Sequence, residues 1–227
     1  MREIVLDTET TGLDPYSGHR LVSVGCVELE NHRPTGKKYY RLVNPERDVP
    51  EEAVKVHGLT NEILDKEPVF RDIADEFLAF IGDSPLVIHN AEFDMKFLNA
   101  ELSMAEKPVL PMERAIDTLL IARRKFPGSR VSLDELCKRF GIDNSKRTTH
   151  GALLDSELLA DVYFELLGGH ETGSLFEDKK RSALDIRESL QANQKPRIEP
   201  RPPVFCDGEL DNHEAFVRKL KNPLWLN

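Results

Sequence analysis

Glu3-Ile4-Val5-Leu6-Asp7-Thr8-Glu9-Thr10-Thr11-Gly12 opens as a nearly continuous apolar run and ends on two carboxylates and a glycine. A short run of this kind suits a central strand buried on both faces. Positions i and i+2 of a strand point to one face, so Asp7 and Glu9 are aimed together at the edge of a buried sheet. Asp and Thr are equally at home in solvated turns, so the pattern alone leaves both readings open.

Working outward, Leu21 to Leu29 and Lys37 to Leu42 read as two further strands, with the break between them at Asn31-His32-Arg33-Pro34. Three strands with no helix between them predict an antiparallel meander. Phe70, Ile73, Phe77 and Phe80 then recur at helical spacing, and Gly82 stops that helix. Leu86-Val87-Ile88 is a fourth strand, and a helix follows from about Asp94. Ala115-Ile116 is a short fifth strand running into a helix through Leu119, Leu120 and Ala122. Ser132 and Glu135 form a capping box for a helix that Gly141 closes, and a last long helix runs from about Gly151 to Leu167. This order of elements predicts an α/β fold, a mixed central sheet with helices on both faces.

Composition bounds the function. A chain of 227 residues, 40% hydrophobic, buries one sizeable core but not two. With 31 basic and 40 acidic residues the net charge is −9, which excludes a strongly basic nucleic-acid coating protein. No apolar run approaches the roughly 18 residues that span a bilayer, and Met1 to Asp7 has no signal-peptide pattern. Cys26, Cys137 and Cys206 form no CxxC pair, against both a disulfide framework and a thiolate zinc site. A cytoplasmic protein with no membrane contact is expected. The composition changes near Gly168-Gly169, where periodicity gives way to a charged stretch at 177–181 and to Pro196, Pro200, Pro202 and Pro203. This predicts a domain over 1–169 and a linker-like tail over 170–227.

Two more acidic positions stand out. Asp94 follows the fourth strand in His89-Asn90-Ala91-Glu92-Phe93-Asp94, where it also reads as a helix N-cap. Asp155 lies in His150-Gly151-Ala152-Leu153-Leu154-Asp155, beside the stripe Leu154, Leu158, Val162 and Leu166; it also reads as a solvated helix residue, and His150 as a loop histidine. In the predicted sheet these segments can converge with Asp7 and Glu9 on one edge. Four carboxylates about 5–6 Å apart repel by roughly 3 kcal/mol per pair at an effective dielectric near 20. Six such pairs exceed the stability of a typical domain, about 5–15 kcal/mol. The cluster therefore needs protons or cations, and oxygen ligands select hard ions such as Mg²⁺ or Mn²⁺. No two of the seven histidines stand at HxxxH or HxxH spacing, which disfavours zinc.

Together the three stretches resemble the three motifs of the DEDDh 3′→5′ exonucleases, in the same order and over residues 1–169. Val56-His57-Gly58-Leu59-Thr60 and Asp143-Asn144-Ser145-Lys146-Arg147-Thr148 are closest to the epsilon-type proofreading subunits of bacterial DNA polymerase III. The resemblance implies a ribonuclease H-like fold with two divalent cations, Mg²⁺ or Mn²⁺, held by Asp7, Glu9, Asp94 and Asp155, with Asp7 bridging both. It makes His150 the general base, a role that suits a neutral imidazole. It places Glu52 and His57 at the terminal nucleotide, alongside Asp7, Glu9 and Asp155; without it His57 is simply a loop histidine. The implied substrate is a DNA 3′ end, shortened by one 5′-monophosphate at a time. The acidic excess of the first 176 residues gives little counterion-release affinity for DNA, so a polymerase or clamp would supply residence.

The tail has its own pattern. Thr172-Gly173-Ser174-Leu175-Phe176 resembles a sliding-clamp-binding peptide ending in Leu-Phe, with Glu171 or Thr172 where a leading glutamine is usual. A flexible linker of roughly 30 residues, spanning about 30 Å, leads to 211–227, where Phe216, Leu224 and Trp225 gather. In the resembled family this segment binds the polymerase alpha subunit; aromatic anchors on a tether suit docking, and folding back on the domain is the alternative. Two other functions are weighed. A stand-alone DEDDh nuclease of short RNA or tRNA 3′ ends has no need of the tail. A non-catalytic scaffold joining polymerase and clamp has no need of packed like charges.

Overall fold

A computed structural model of the chain describes residues 1–145, 147, 149–169, 212, 215 and 216. By internal contacts it divides into Met1–Leu175 and Phe176–Asn227. Of the second unit only Asn212, Ala215 and Phe216 are described, all helical and exposed. The Thr172–Phe176 peptide, the proline-bearing linker, Cys206 and the rest of 211–227 lie outside the described residues.

The first unit is built on a five-stranded sheet in the order β3-β2-β1-β4-β5. Its strands are β1 (Arg2–Thr10), β2 (Leu21–Glu30), β3 (Arg33–Leu42), β4 (Leu86–Ile88) and β5 (Ala115–Asp117). β1 and β2 pair antiparallel, as do β2 and β3, while β4 runs parallel to both β1 and β5. The meander and the mixed sheet are as expected. The hairpin differs: Asn31 and His32, with φ of 51° and 64°, turn the chain in two residues, and β3 already starts at Arg33. Two successive left-handed residues make the turn whose twist matches a hairpin. Pro34 is tolerated because β3 is an edge strand.

Among the described residues seven α-helices accompany the sheet: α1 (Glu51–His57), α2 (Asn61–Leu64), α3 (Phe70–Ile81), α4 (Ala91–Met104), α5 (Thr118–Lys125), α6 (Leu133–Phe140) and α7 (Ala152–Leu166). The order predicted from sequence lacks α1 and α2, short elements with little periodicity; the three helices that follow β5 are the three it names. α4 begins three residues before Asp94, which therefore sits inside its first turn and is not its N-cap.

The alternation of β1 organises everything above it. Ile4 and Leu6 join one core with Phe70, Phe77, Ile81, Leu98 and Leu102 of α3 and α4. Val5 joins the other, with Leu136, Leu159, Val162 and Leu166 of α6 and α7. Period two carries these faces onward, so Thr8 looks toward α4 while Asp7 and Glu9 look toward α7. Gly25, opposite Asp7 on β2, explains how α7 comes so near. A Cβ there would lie 2.3 Å from the Ala152 backbone, so only glycine admits the N-terminus of α7 to that depth. Cys26 and Cys137 are buried free thiols. Among the described residues no helix is long and apolar enough to cross a membrane.

Candidate active site

The carboxylates meet at the C-terminal end of β1. Asp94 enters from α4 and is held by Thr8: the Thr8 backbone N–H and hydroxyl donate to its Oδ1 at 3.0 and 2.7 Å. The N-terminus of α4 is fixed in turn by Asp117, which accepts from the Asn90 and Ala91 amides at 3.2 Å and also caps α5. That arrangement replaces a side-chain cap and holds Asn90 at φ 72°. Asp155 enters from the first turn of α7, and Ser156 beside it donates to the Gly25 and Ala152 carbonyls. His150 precedes α7 in a loop tied to α1 through its own N–H, which donates to the Val56 carbonyl at 3.0 Å. Its ring is 49% exposed, and Nδ1 lies 3.3 Å from Asp155 Oδ2.

The electrostatics record this crowding. Burial, followed by Asp94, Glu9 and Asp155, holds the Asp7 carboxyl well above the ordinary range. Burial and then Asp155 push Glu9 up to about 7. Burial also pushes Asp94 up to about 7, against the opposing bonds from Thr8. Asp155 behaves differently. Burial works to raise it, but Arg147 and His150 outweigh burial and its pKa is lowered. Asp155 in turn raises His150, through a hydrogen bond, above the usual imidazole value.

A cleft of about 610 Å³ opens beside Glu9, walled by Thr10, Leu13, Val56 and Phe93 among others, with Glu52 and His57 on its α1 side. Its volume and mixed lining suit a small polar ligand with an apolar ring. His57 is no loop residue: it ends α1, is buried, and accepts from the Leu59 amide at Nδ1. Gly58, at φ 75°, supplies the left-handed cap that ends α1 at that point. Burial lowers the His57 pKa, with the Thr10 carbonyl opposing. A second cleft, about 330 Å³, lies between Asp7, His89, Asp134, Arg147, His150 and Asp155.

The residues fit a hard cation. Glu9, His150 and Asp155 each present a ligand atom within 4.8 Å of the others, and burial, with neighbouring acids adding to it, raises Asp7, Glu9 and Asp94 above the ordinary carboxylate range. All seven residues singled out from the sequence border this one region: Asp7, Glu9, Asp94, His150 and Asp155 at the cluster, Glu52 and His57 across the larger cleft. Three others escaped that reading: Thr8, Asp117 and Arg147. Thr8 carried a faint signal, since a residue between two same-face acids must face the opposite layer. Arg147 stands eight residues before Asp155 on the far side of a glycine, a separation that carries no periodic signal.

A family model described as Exonuclease matches residues 4–163. The chain is 55% identical over 227 residues to the DNA polymerase III subunit epsilon of Rickettsia prowazekii, covering 97% of each. To the subunit of that name from Escherichia coli it is 40% identical over 221 residues, 94% of this chain and 91% of that one. Among solved structures, the nuclease domain of 3′hExo, a DEDDh family member bound to rAMP, superposes with a TM-score of 0.62 at 19% identity, over 74% of this chain and 92% of that one. Exonuclease X in complex with 5′ overhanging duplex DNA gives 0.56 at 24% identity, over 73% and 90%. These likenesses identify the fold as ribonuclease H-like. A chain with this sheet, this acidic cluster and relatives alike over nearly its whole length belongs to the exonuclease family, in the branch of the DNA polymerase III epsilon subunits.

Proposed function

We propose that this protein is the proofreading 3′→5′ exonuclease of a bacterial DNA polymerase III, hydrolysing the last phosphodiester bond of a DNA 3′ end to release a nucleoside 5′-monophosphate. The observation that carries the reading is the convergence of Asp7, Glu9, Asp94, His150 and Asp155 beside a cleft of about 610 Å³. Asp7, Glu9, Asp94 and Asp155 would hold two divalent cations. Bound there, such ions supply Lewis-acid activation of water and stabilise the entering and leaving oxygens at phosphorus.

The chain's own groups do the rest. His150 takes the proton of the attacking water as the new P–O bond forms and the P–O3′ bond breaks; with Nδ1 turned to Asp155, Nε2 is the nitrogen left to accept it. Thr8 fixes Asp94, so the acid enters at one position only. Glu52 and His57 line the wall where the terminal sugar and base would lie. Mg²⁺ and Mn²⁺ both suit an oxygen-rich site, and the cytoplasm supplies Mg²⁺ in abundance. Residues 211–227 would dock on the polymerase alpha subunit and Thr172–Phe176 on the clamp. Support comes from the reach of the relatives' similarity, which takes in 97% of the chain and so extends through the tail.

The decisive experiment is Asp7→Ala, assayed with Mg²⁺ on a 5′-labelled single strand. Digestion is expected to fall to background with the circular dichroism unchanged; full activity in the variant refutes the site.

A further inference from the structure

Arg147 has no part in the reading above, yet its side chain is 8% exposed and sits against the cluster. Its Nε donates to Asp155 Oδ1 at 2.6 Å and its Nη2 to Asp155 Oδ2 at 2.7 Å, a two-pronged pair that takes up both carboxylate oxygens. Nη1 donates to Asp134 Oδ2 at 2.8 Å, and Nη2 lies 2.7 Å from His150 Nδ1. The oxygens and the imidazole that a cation would share with Glu9 are therefore already engaged by a positive group of the chain itself.

Fork-to-fork pairs of this kind are among the stronger charged hydrogen bonds, and guanidinium and metal ion want the same lone pairs. A divalent ion brought to the same carboxylate would also meet the repulsion of the guanidinium charge. Asp134 offers a way out. It stands in the first turn of α6, its Oδ1 held by Asn144 at 2.9 Å, so its Oδ2 keeps one prong of Arg147 when the other two let go.

We propose that Arg147 is a displaceable counter-ion, competing with the divalent cation for Asp155 and withdrawing to Asp134 when the ion binds. The inference rests on the metal reading given above. It also accounts for His150. A guanidinium N–H aimed at Nδ1 needs the lone pair there, which leaves the ring proton on Nε2, where it blocks proton acceptance. Once Arg147 withdraws, Nδ1–H can donate to Asp155 and the Nε2 lone pair is released. Ion binding and readiness of the base become one event.

The test is direct Mn²⁺ binding to the full-length chain, followed by electron paramagnetic resonance. Arg147→Met keeps the apolar stem and removes the competitor, so half-saturation is expected at about tenfold lower Mn²⁺, the scale of a charged hydrogen bond. Arg147→Lys keeps the charge and loses the fork; its binding should tighten by roughly threefold to fivefold at unchanged net charge, which isolates competition from overall potential. That variant also carries the test should the methionine variant fail to fold. Equal or weaker Mn²⁺ binding in folded Arg147→Lys overturns the proposal and leaves the metal reading standing. Absence of Mn²⁺ uptake in wild type and variants alike overturns both.

Discussion

Thr8 donates twice to a single oxygen of Asp94, from its backbone at 3.0 Å and from its hydroxyl at 2.7 Å, so the residue between the two acids of β1 positions a third acid across the sheet. Thr8→Val preserves shape and β-branching and deletes one donor. The expected result is a loss of roughly tenfold in kcat, the scale of a hydrogen bond to a charged group, with the midpoint of thermal unfolding changed by only a few degrees. Steady-state kinetics on a labelled single strand, run beside a melt, check it.

Glu9 governs a dependence on pH. Its pKa in the folded protein is about 7 against an ordinary 4.5, raised by burial first and then by Asp155. An acid with a raised pKa binds more protons when folded, so its contribution to stability declines as pH climbs from about 4.5 to 7. Without divalent ions, Glu9→Gln should therefore be more stable than wild type at pH 8, by on the order of 1–3 kcal/mol. The two should converge toward pH 4.5. Chemical denaturation in EDTA at both pH values measures the difference, and a gain that persists at pH 4.5 would contradict the assignment.

Gly25→Ala tests the approach of α7. The new methyl group would meet the Ala152 backbone at 2.3 Å, and backbone cannot swing aside as a side chain would. Overpacking of this kind costs about 1–3 kcal/mol. Because the displaced helix carries Asp155, nuclease activity should fall by at least tenfold even where the variant is fully folded, as activity and melting measured on one preparation will show.

Truncation after Gly169 separates catalysis from assembly. The shortened chain keeps every residue of the cluster and should digest a free single strand at the rate of the full chain, while losing co-purification with the polymerase. Retention of the polymerase by the truncated form would place the docking surface on the nuclease domain.

Matched DNA and RNA strands distinguish a proofreading enzyme from one that trims RNA. Faster release from the DNA 3′ end is expected, read as kcat/KM on oligonucleotides of identical sequence.

Much of this architecture can be read from the chain because the periodicities are strong. Phe70, Ile73, Phe77 and Phe80 mark α3, the Ser132 cap and Gly141 bound α6, and Ile4 to Leu6 mark a strand buried on both sides. α1 left no such trace: Glu51 to His57 is a short amphipathic turn of chain in which only His57 is buried, so its histidine passed for a loop residue. The acids themselves were legible as residue types at particular spacings. What each one touches was not. Arg147 and Asp155 are brought together by a loop whose path no local pattern encodes, and Asp117 reaches the amides of Asn90 and Ala91 because parallel β4 and β5 set their ends side by side.

The strict alternation of β1 makes that strand a reading frame. With Ile4, Leu6 and Thr8 committed to one layer and Val5, Asp7 and Glu9 to the other, inserting or deleting one residue before Asp7 would exchange the two sets. The acids would then turn under α4 and the aliphatic side chains would be left facing α7. Evolution can lengthen the loops of this protein at many points, but a change of one codon in this stretch inverts the molecule's wiring.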